Sequence, residues 1–221
     1  MYPLYLNIAE RLCVVVGGGR VAERKVRGIL AAAGRVRVVS PELTPVLAAL
    51  ADSLAIEWRQ KSYSMTDLDG AFLVFAATDS GEVQRAVHRD AQAAGLLINV
   101  ADAPERCDFQ VPATIRRGDL TLSVATGGKS PAVAAMVRQR LDRTFGEEYG
   151  LLTALAAQLR DQILAEEGDS GQTKVLFQQI LHDDIVDWLR ERRWDKVRQH
   201  LERVLGRPVA FDPEILTKEN P

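Results

Sequence analysis

The stretch Val14-Val-Val-Gly-Gly-Gly-Arg-Val-Ala-Glu-Arg-Lys25 decides the fold. Three consecutive glycines join a strand-length run, Arg11 to Val16, to a helix-compatible segment, Val21 to Ala33. A second strand, Val36 to Val39, closes at Ser40-Pro41 and completes a strand-helix-strand unit. Neither strand alternates apolar with polar residues, as expected of parallel strands covered on both faces. Gly17, Gly19 and Ala22 fall in the G-x-G-x-x-G/A spacing. The first glycine permits a tight turn, the second lets backbone approach a pyrophosphate, and the small third residue lets helix and strand pack closely. Arg20 and Val21 stand at the helix start, where free N–H groups face the anion.

Outward from this unit the same grammar continues. A helix is expected near Leu43 to Ala51, strands over Ala55 to Trp58 and Ala71 to Ala76, a helix over Gly81 to Ala94, and a strand over Leu96 to Val100. Strands alternating with helices predict the α/β class, a Rossmann-like doubly wound parallel sheet. After residue 110 the pattern changes. Gln110 to Ile115 and Leu120 to Val124 form a hairpin pattern about Arg116-Arg-Gly-Asp119. Ser130 as N-cap and Pro131 at the first helical position open a helix to about Thr144. From Glu147 the chain is helical in character, including Ile185 to Arg190 and Trp194 to Leu205. Three regions follow: an NAD-binding Rossmann-like domain over 1–110, a hairpin and helix over 111–146, and a helical C-terminal domain over 147–221.

With 221 residues, 47% of them hydrophobic, the chain can bury a core without disulfides or metals to staple it. The net charge of -2 gives no overall pull toward nucleic acid or an anionic membrane, so any anion binding is local. Two cysteines are not a disulfide framework; Cys13 sits in an apolar run as a small hydrophobe, and a reducing compartment is expected. No window approaches the roughly 18 apolar residues of a membrane helix, and MYPLYLNIAE lacks the layout of a secretory signal. A cytoplasmic protein with no membrane partner is the expectation.

The strand ends carry the candidate chemistry. Ser40-Pro41 replaces the acidic residue usual at the end of the second strand, and Glu42 follows; it either reaches a ribose hydroxyl or is an exposed residue of the next helix. No arginine lies there to hold a 2′-phosphate, which favours NAD over NADP. Ala76-Ala77-Thr78 suits a backbone passing close to a cofactor, while Asp79 and Ser80 are read as caps of the next helix. Asn99-Val-Ala-Asp-Ala-Pro-Glu-Arg-Cys-Asp-Phe109 follows a strand, so Asn99 and Val100 fall near the cofactor and Asp102 at the ligand-binding edge. Cys107 and Asp108 are too few for a metal site, and His88, His182 and His200 show no ligand spacing, so no metal ligands are assigned and this pair is read as the frame of the loop. Thr126-Gly-Gly-Lys-Ser-Pro131 is either an anion-binding turn, with Thr126, Gly127, Lys129 and Ser130 facing a carboxylate, or an ordinary glycine turn with a Ser-Pro helix start.

Taken in order, GGGRVAERK, FAATD at 75–79, NVADAPERCDF at 99–109 and TGGKSP at 126–131 resemble the precorrin-2 dehydrogenase/sirohydrochlorin ferrochelatase family, the sirohaem synthase N-terminal module. The resemblance covers most of residues 1–145. It implies an oxidoreductase of sirohaem biosynthesis in which NAD accepts hydride from precorrin-2 to give sirohydrochlorin. It leaves open a second, lyase activity in which ferrous iron is inserted as a substrate. It further implies a homodimer, with residues 111–146 serving dimerisation and substrate contact, and uroporphyrinogen methylation carried elsewhere. The family's catalytic aspartate maps onto Asp102, a carboxylate suited to general-base work because the oxidation removes a proton with the hydride. The resemblance moves Thr126 toward substrate contact. The competing reading is a non-catalytic NAD-sensing module, which accounts for GGGRVA and leaves NVADAPERCDF and TGGKSP without a purpose. A third is a dehydrogenase for some other small substrate.

Overall fold

The computed structural model describes residues 1–167 and 171–213. The chain divides into two units, Met1–Val111 and Pro112–Pro221. In the first, β1 (Leu12–Val16), β2 (Arg35–Val39), β3 (Glu57–Arg59), β4 (Leu73–Ala76) and β5 (Leu97–Val100) form one parallel sheet in the order β3-β2-β1-β4-β5. Register aligns Val16 with Val39 and Ala76, and Ala76 with Val100, so four strands finish in one row. Chain order reverses between β1 and β4, the point at which open α/β sheets bind ligands.

The apolar strand runs have the expected cause. Cys13, Val15, Val38 and Phe75 face a core completed by α1 (Arg20–Leu30) and α2 (Pro45–Asp52), while Val14, Val16, Val74 and Ile98 face one completed by α3 (Gly81–Ala93). Cys13 is fully buried, and burial pushes its thiol up to about 11, so it packs as a hydrophobe. Several boundaries differ from expectation by one to three residues, and two of them have a clear local cause. The α1 helix stops at Leu30 because Ala32 and Ala33 close a tight turn onto Ile29 and Leu30, with Ala33 at φ 54. The β3 strand begins at Glu57 because Leu54 and Ala55 are spent closing α2, donating to Ala51 and Leu50.

One buried carboxylate holds the β2–β3 edge. Asp67, in the 3-10 turn Met65–Leu68, has a side chain with no exposure; its Oδ1 lies 2.9 Å from both Arg59 and Lys61, and its Oδ2 accepts from Ser64 N at 2.9 Å. Arg37 reaches the same turn through the Asp67 and Asp69 carbonyls. Burial alone would raise the Asp67 pKa, but Lys61, Arg59 and Ser64 outweigh it and hold the carboxyl at about 2. A depressed carboxyl stabilises the fold above its unfolded value near 3.8 and loses that contribution as pH falls through about 2. Replacing Asp67 with Ala is expected to cost about 3 kcal/mol in denaturant unfolding at neutral pH, because Arg59 and Lys61 lose their shared partner. The deficit relative to the parent should shrink by about 2 kcal/mol between pH 5 and pH 2. A deficit that stays constant with pH would show that the charge contributes nothing.

In the second unit β6 (Ala113–Arg117) and β7 (Leu120–Val124) pair antiparallel. The turn is shorter than expected. Arg116 and Arg117 belong to β6, and only Gly118 and Asp119 connect the strands, with Gly118 at φ +53 where a tight hairpin turn needs it. Then come α4 (Pro131–Thr144), α5 (Glu148–Glu167), α6 (Gly171–Ile180), α7 (Asp183–Arg190) and α8 (Trp194–Leu205). Leu155, Leu159, Ile180, Leu189 and Leu201 form a separate helical core, and Glu148 pairs with Arg190 at 2.9 Å beside it. His200 is buried, its Nε2 3.1 Å from that of His182; burial and then His182 push its pKa down. Of the expected helical region, residues 168–170 and 214–221 lie outside the described residues. No helix among the described residues is long and apolar enough to cross a membrane.

Candidate active site

The glycine loop continues the sheet ladder. Gly17 N donates to Val39 O at 2.9 Å, and Ala77 N to Val16 O at 2.8 Å. Gly17 has φ +123, and a Cβ built there would lie 2.1 Å from the Ala77 carbonyl oxygen. Only glycine fits, because the turn runs against the end of β4 at the switch point. Gly19 is the opposite case. It is the N-cap of α1, no side chain caps it, and a Cβ there would meet nothing within 4 Å. The first N–H groups of α1, on Arg20 and Val21, therefore open onto free space. Ala22 is fully buried against the sheet. This bare surface beside an uncapped helix start fits the pyrophosphate of a dinucleotide.

The end of β2 is tied to that loop by residues the sequence pattern does not flag. Gly18 packs against the Glu42 backbone, and its carbonyl accepts from Thr44 N at 2.9 Å. The Thr44 hydroxyl donates to Glu23 Oε2 at 2.9 Å and caps α2 at Leu47 N. Pro41 and Glu42 are thereby held as an exposed loop beside the glycines, with Ser40 buried beneath and its carbonyl accepting from the Trp58 indole at 3.0 Å. At the end of β4, Thr78 is half-buried and its Oγ1 accepts from Ser80 N. Capping of α3 falls to Ser80, whose Oγ accepts from Val83 N at 3.3 Å. Asp79, expected to cap, is exposed and one residue too early to reach those N–H groups.

Beyond β5 the loop is braced from within. Cys107 Sγ lies 3.2 Å from both Val100 N and Val100 O, and donates to Ala103 O at 3.4 Å. Asp108 accepts from Ile98 N at 3.0 Å and returns its own N–H to Ile98 O, satisfying backbone on the open edge of β5. Thiol and carboxylate are spent on backbone, in keeping with a framing role. Asn99 is buried, with its amide donating to Phe109 O at 3.0 Å and facing Cys107 Sγ. Asn99 thus organises the loop at the end of β5. Asp102 stands out from this frame. It is exposed, at φ +59, and its carboxylate has no hydrogen-bond or ion-pair partner among the described residues. Gln84 of α3 donates to Thr78 O at 2.8 Å and toward Ala101 O at 3.4 Å, linking the β4 and β5 loops. Lys25, half-buried on α1, lies 5.7 Å from the Phe75 ring centroid; burial and then Arg24 lower its pKa, with Cys107 opposing.

In the second unit the TGGKSP turn closes on itself. Thr126 Oγ1 donates to Ser130 O at 3.1 Å and accepts from Ser130 N at 3.2 Å, while Ser130 Oγ caps α4 at Val133 N. The Ser130-Pro131 helix start is as the sequence predicts. Gly127 and Gly128 are at positive φ, and Lys129 is exposed without a carboxylate partner among the described residues. The Thr126 and Ser130 hydroxyls and the Lys129 and Ser130 N–H groups shape the turn; the exposed Lys129 ammonium is what it offers a ligand.

Known proteins resemble this chain along most of its length. Residues 4–113 match a family model described as putative NAD(P)-binding, and residues 117–144 one described as sirohaem biosynthesis protein central. The siroheme synthase of Methylobacillus flagellatus is 37% identical over 204 residues, which cover 92% of this chain and 44% of that protein. That of Chromobacterium violaceum is 39% identical over 186 residues, 84% of this chain and 40% of its own. The chain thus spans less than half the length of these curated relatives. Among solved structures, SirC, a precorrin-2 dehydrogenase, superposes with a TM-score of 0.76 at 25% identity, covering 93% of this chain and 100% of that one.

Proposed function

The chain belongs to the sirohaem synthase family, and from that premise we propose that it oxidises precorrin-2 to sirohydrochlorin with NAD as hydride acceptor. The observation that carries this reading is the joint placement, along one sheet edge, of an open uncapped glycine loop and a carboxylate without a hydrogen-bond or ion-pair partner among the described residues. Asp102 lies two residues beyond Val100, which aligns through Ala76 with Val16 at the foot of the glycine loop.

Bound NAD supplies the hydride acceptor. Gly19, Arg20 and Val21 receive its pyrophosphate through backbone N–H groups, and Gly17, its own N–H spent on Val39 O, makes the turn that presents them. Pro41 and Glu42 bound the adenosine end, where the Glu42 carboxylate suits a ribose hydroxyl and opposes a 2′-phosphate. Thr78, Asn99 and Val100 line the other end. Loss of hydride from the macrocycle leaves a proton to be removed, and Asp102 takes it on a carboxylate oxygen. Thr126, Gly127, Lys129 and Ser130 form the turn that holds a carboxylate of the tetrapyrrole substrate, with the Lys129 ammonium as its charged contact. Ferrous iron is a further substrate, because a carboxylate that takes a macrocycle proton also serves when a metal displaces pyrrole protons. The active form is a homodimer: α4 buries no residue, and its Val133 and Met136 are exposed, which suits a helix covered by a second copy.

An anaerobic assay with NAD and precorrin-2, run with and without ferrous iron, tests the proposal. NADH and the sirohydrochlorin spectrum should appear without iron, and the sirohaem spectrum only with it. NAD binding without turnover or tetrapyrrole binding would leave a nucleotide-sensing module as the correct reading.

A further inference from the structure

We propose that Gln84 is a positioning residue for Asp102, holding the base loop and the cofactor loop in one geometry through a single side-chain amide. The inference rests on the assignment of Asp102 as the base. The Asp102 carboxylate has no hydrogen-bond or ion-pair partner among the described residues, so it is placed through its backbone neighbours. On one side Ala101 is fixed twice, by its N–H to Ala76 O at 2.9 Å and by its carbonyl toward Gln84 Nε2 at 3.4 Å. On the other side Ala103 is buried, and its carbonyl accepts from Cys107 Sγ. Between them Asp102 sits at φ +59, a left-handed conformation that few residue types adopt and that holds only when its flanks are fixed.

Gln84 differs from the other braces because it reaches both loops. Its Nε2 also donates to Thr78 O at 2.8 Å, the shorter of the two contacts, so the amide is seated on the cofactor loop and extends to the base loop. A primary amide has two N–H donors on one nitrogen, enough for both carbonyls. An apolar side chain of similar length would fill the space and release both. Cofactor and base would then no longer share a fixed separation, and proton removal is sensitive to misplacement on the scale of 1 Å.

The test is a double-mutant cycle of Gln84→Leu with Asp102→Asn in the full-length chain, assayed anaerobically with NAD and precorrin-2. Gln84→Leu alone should lower kcat about tenfold, with KM for NAD changed less than about twofold. In the Asp102→Asn background the same change should cost almost nothing further, since a residue acting through Asp102 has nothing left to position. Gln84→Glu, which keeps the length but offers the two carbonyls an acceptor, should behave like Gln84→Leu and guards against a packing defect in the leucine variant. Thermal unfolding is recorded in parallel. A lowered Tm with kcat unchanged in the folded fraction would make Gln84 structural only. Full kcat in Gln84→Glu, or a loss that multiplies undiminished onto Asp102→Asn, also overturns the proposal. Unimpaired turnover in Asp102→Asn alone is a separate result, and it removes the base assignment beneath it.

Discussion

Asp102→Asn should lower kcat for NAD-dependent precorrin-2 oxidation by about 100- to 10,000-fold while leaving NAD affinity and thermal stability as they are. The expectation of unchanged stability comes from the environment of the side chain. Asp102 is exposed and its carboxylate is unpaired among the described residues, so substitution breaks no contact. Its backbone is left-handed at φ +59, and asparagine tolerates that conformation as readily as aspartate. What changes is the ability to accept a proton. Asp102→Ala should be equally slow and in addition less stable by about 1 kcal/mol, because alanine is strained at that φ. Comparing the two separates chemistry from conformation. A rate for Asp102→Asn within threefold of the parent would remove Asp102 as the base. Iron insertion measured in the same variants asks whether one carboxylate serves both reactions, and parallel losses are expected.

The sequence makes the sheet legible because its signals are local and repeated. Apolar runs mark strands buried on two faces, and each ends at glycine, proline or small residues in the row where Val16, Val39, Ala76 and Val100 align. Gly17 and Gly19 are legible as a pair, though their different duties are not: one is required by the Ala77 carbonyl and the other faces open space. What escapes sequence reasoning is whatever depends on contacts between distant segments. Thr44 reaches Glu23 across 21 positions, and Gln84 reaches Ala101 across 17. Nothing about a threonine before Pro45 or a glutamine on an amphipathic helix marks those partners. Cys107 and Asp108 are the intermediate case. Counting ligands argues against a metal site, but only the geometry shows a thiol bracketing the Val100 peptide and a carboxylate satisfying the edge of β5.

The two glycines separate a structural role from a binding role in a second experiment. Gly17→Ala is expected to abolish stable folding, or to cost at least about 3 kcal/mol. Its Cβ would stand 2.1 Å from the Ala77 carbonyl oxygen, and neither β1 nor β4 can retreat while their ladder is formed, since Ala77 N donates to Val16 O one residue away. The φ of +123 adds strain that no L side chain relieves. Gly19→Ala should leave unfolding free energy within about 0.5 kcal/mol of the parent. Its φ of -85 is ordinary and its Cβ would meet nothing. That emptiness is where backbone must approach pyrophosphate, so NAD affinity in Gly19→Ala should fall at least about tenfold, measured by fluorescence titration or calorimetry. Full stability with weakened binding has no explanation in packing, because there is no packing at that position to disturb. NAD affinity equal to the parent would place the pyrophosphate elsewhere and leave the uncapped start of α1 without a ligand.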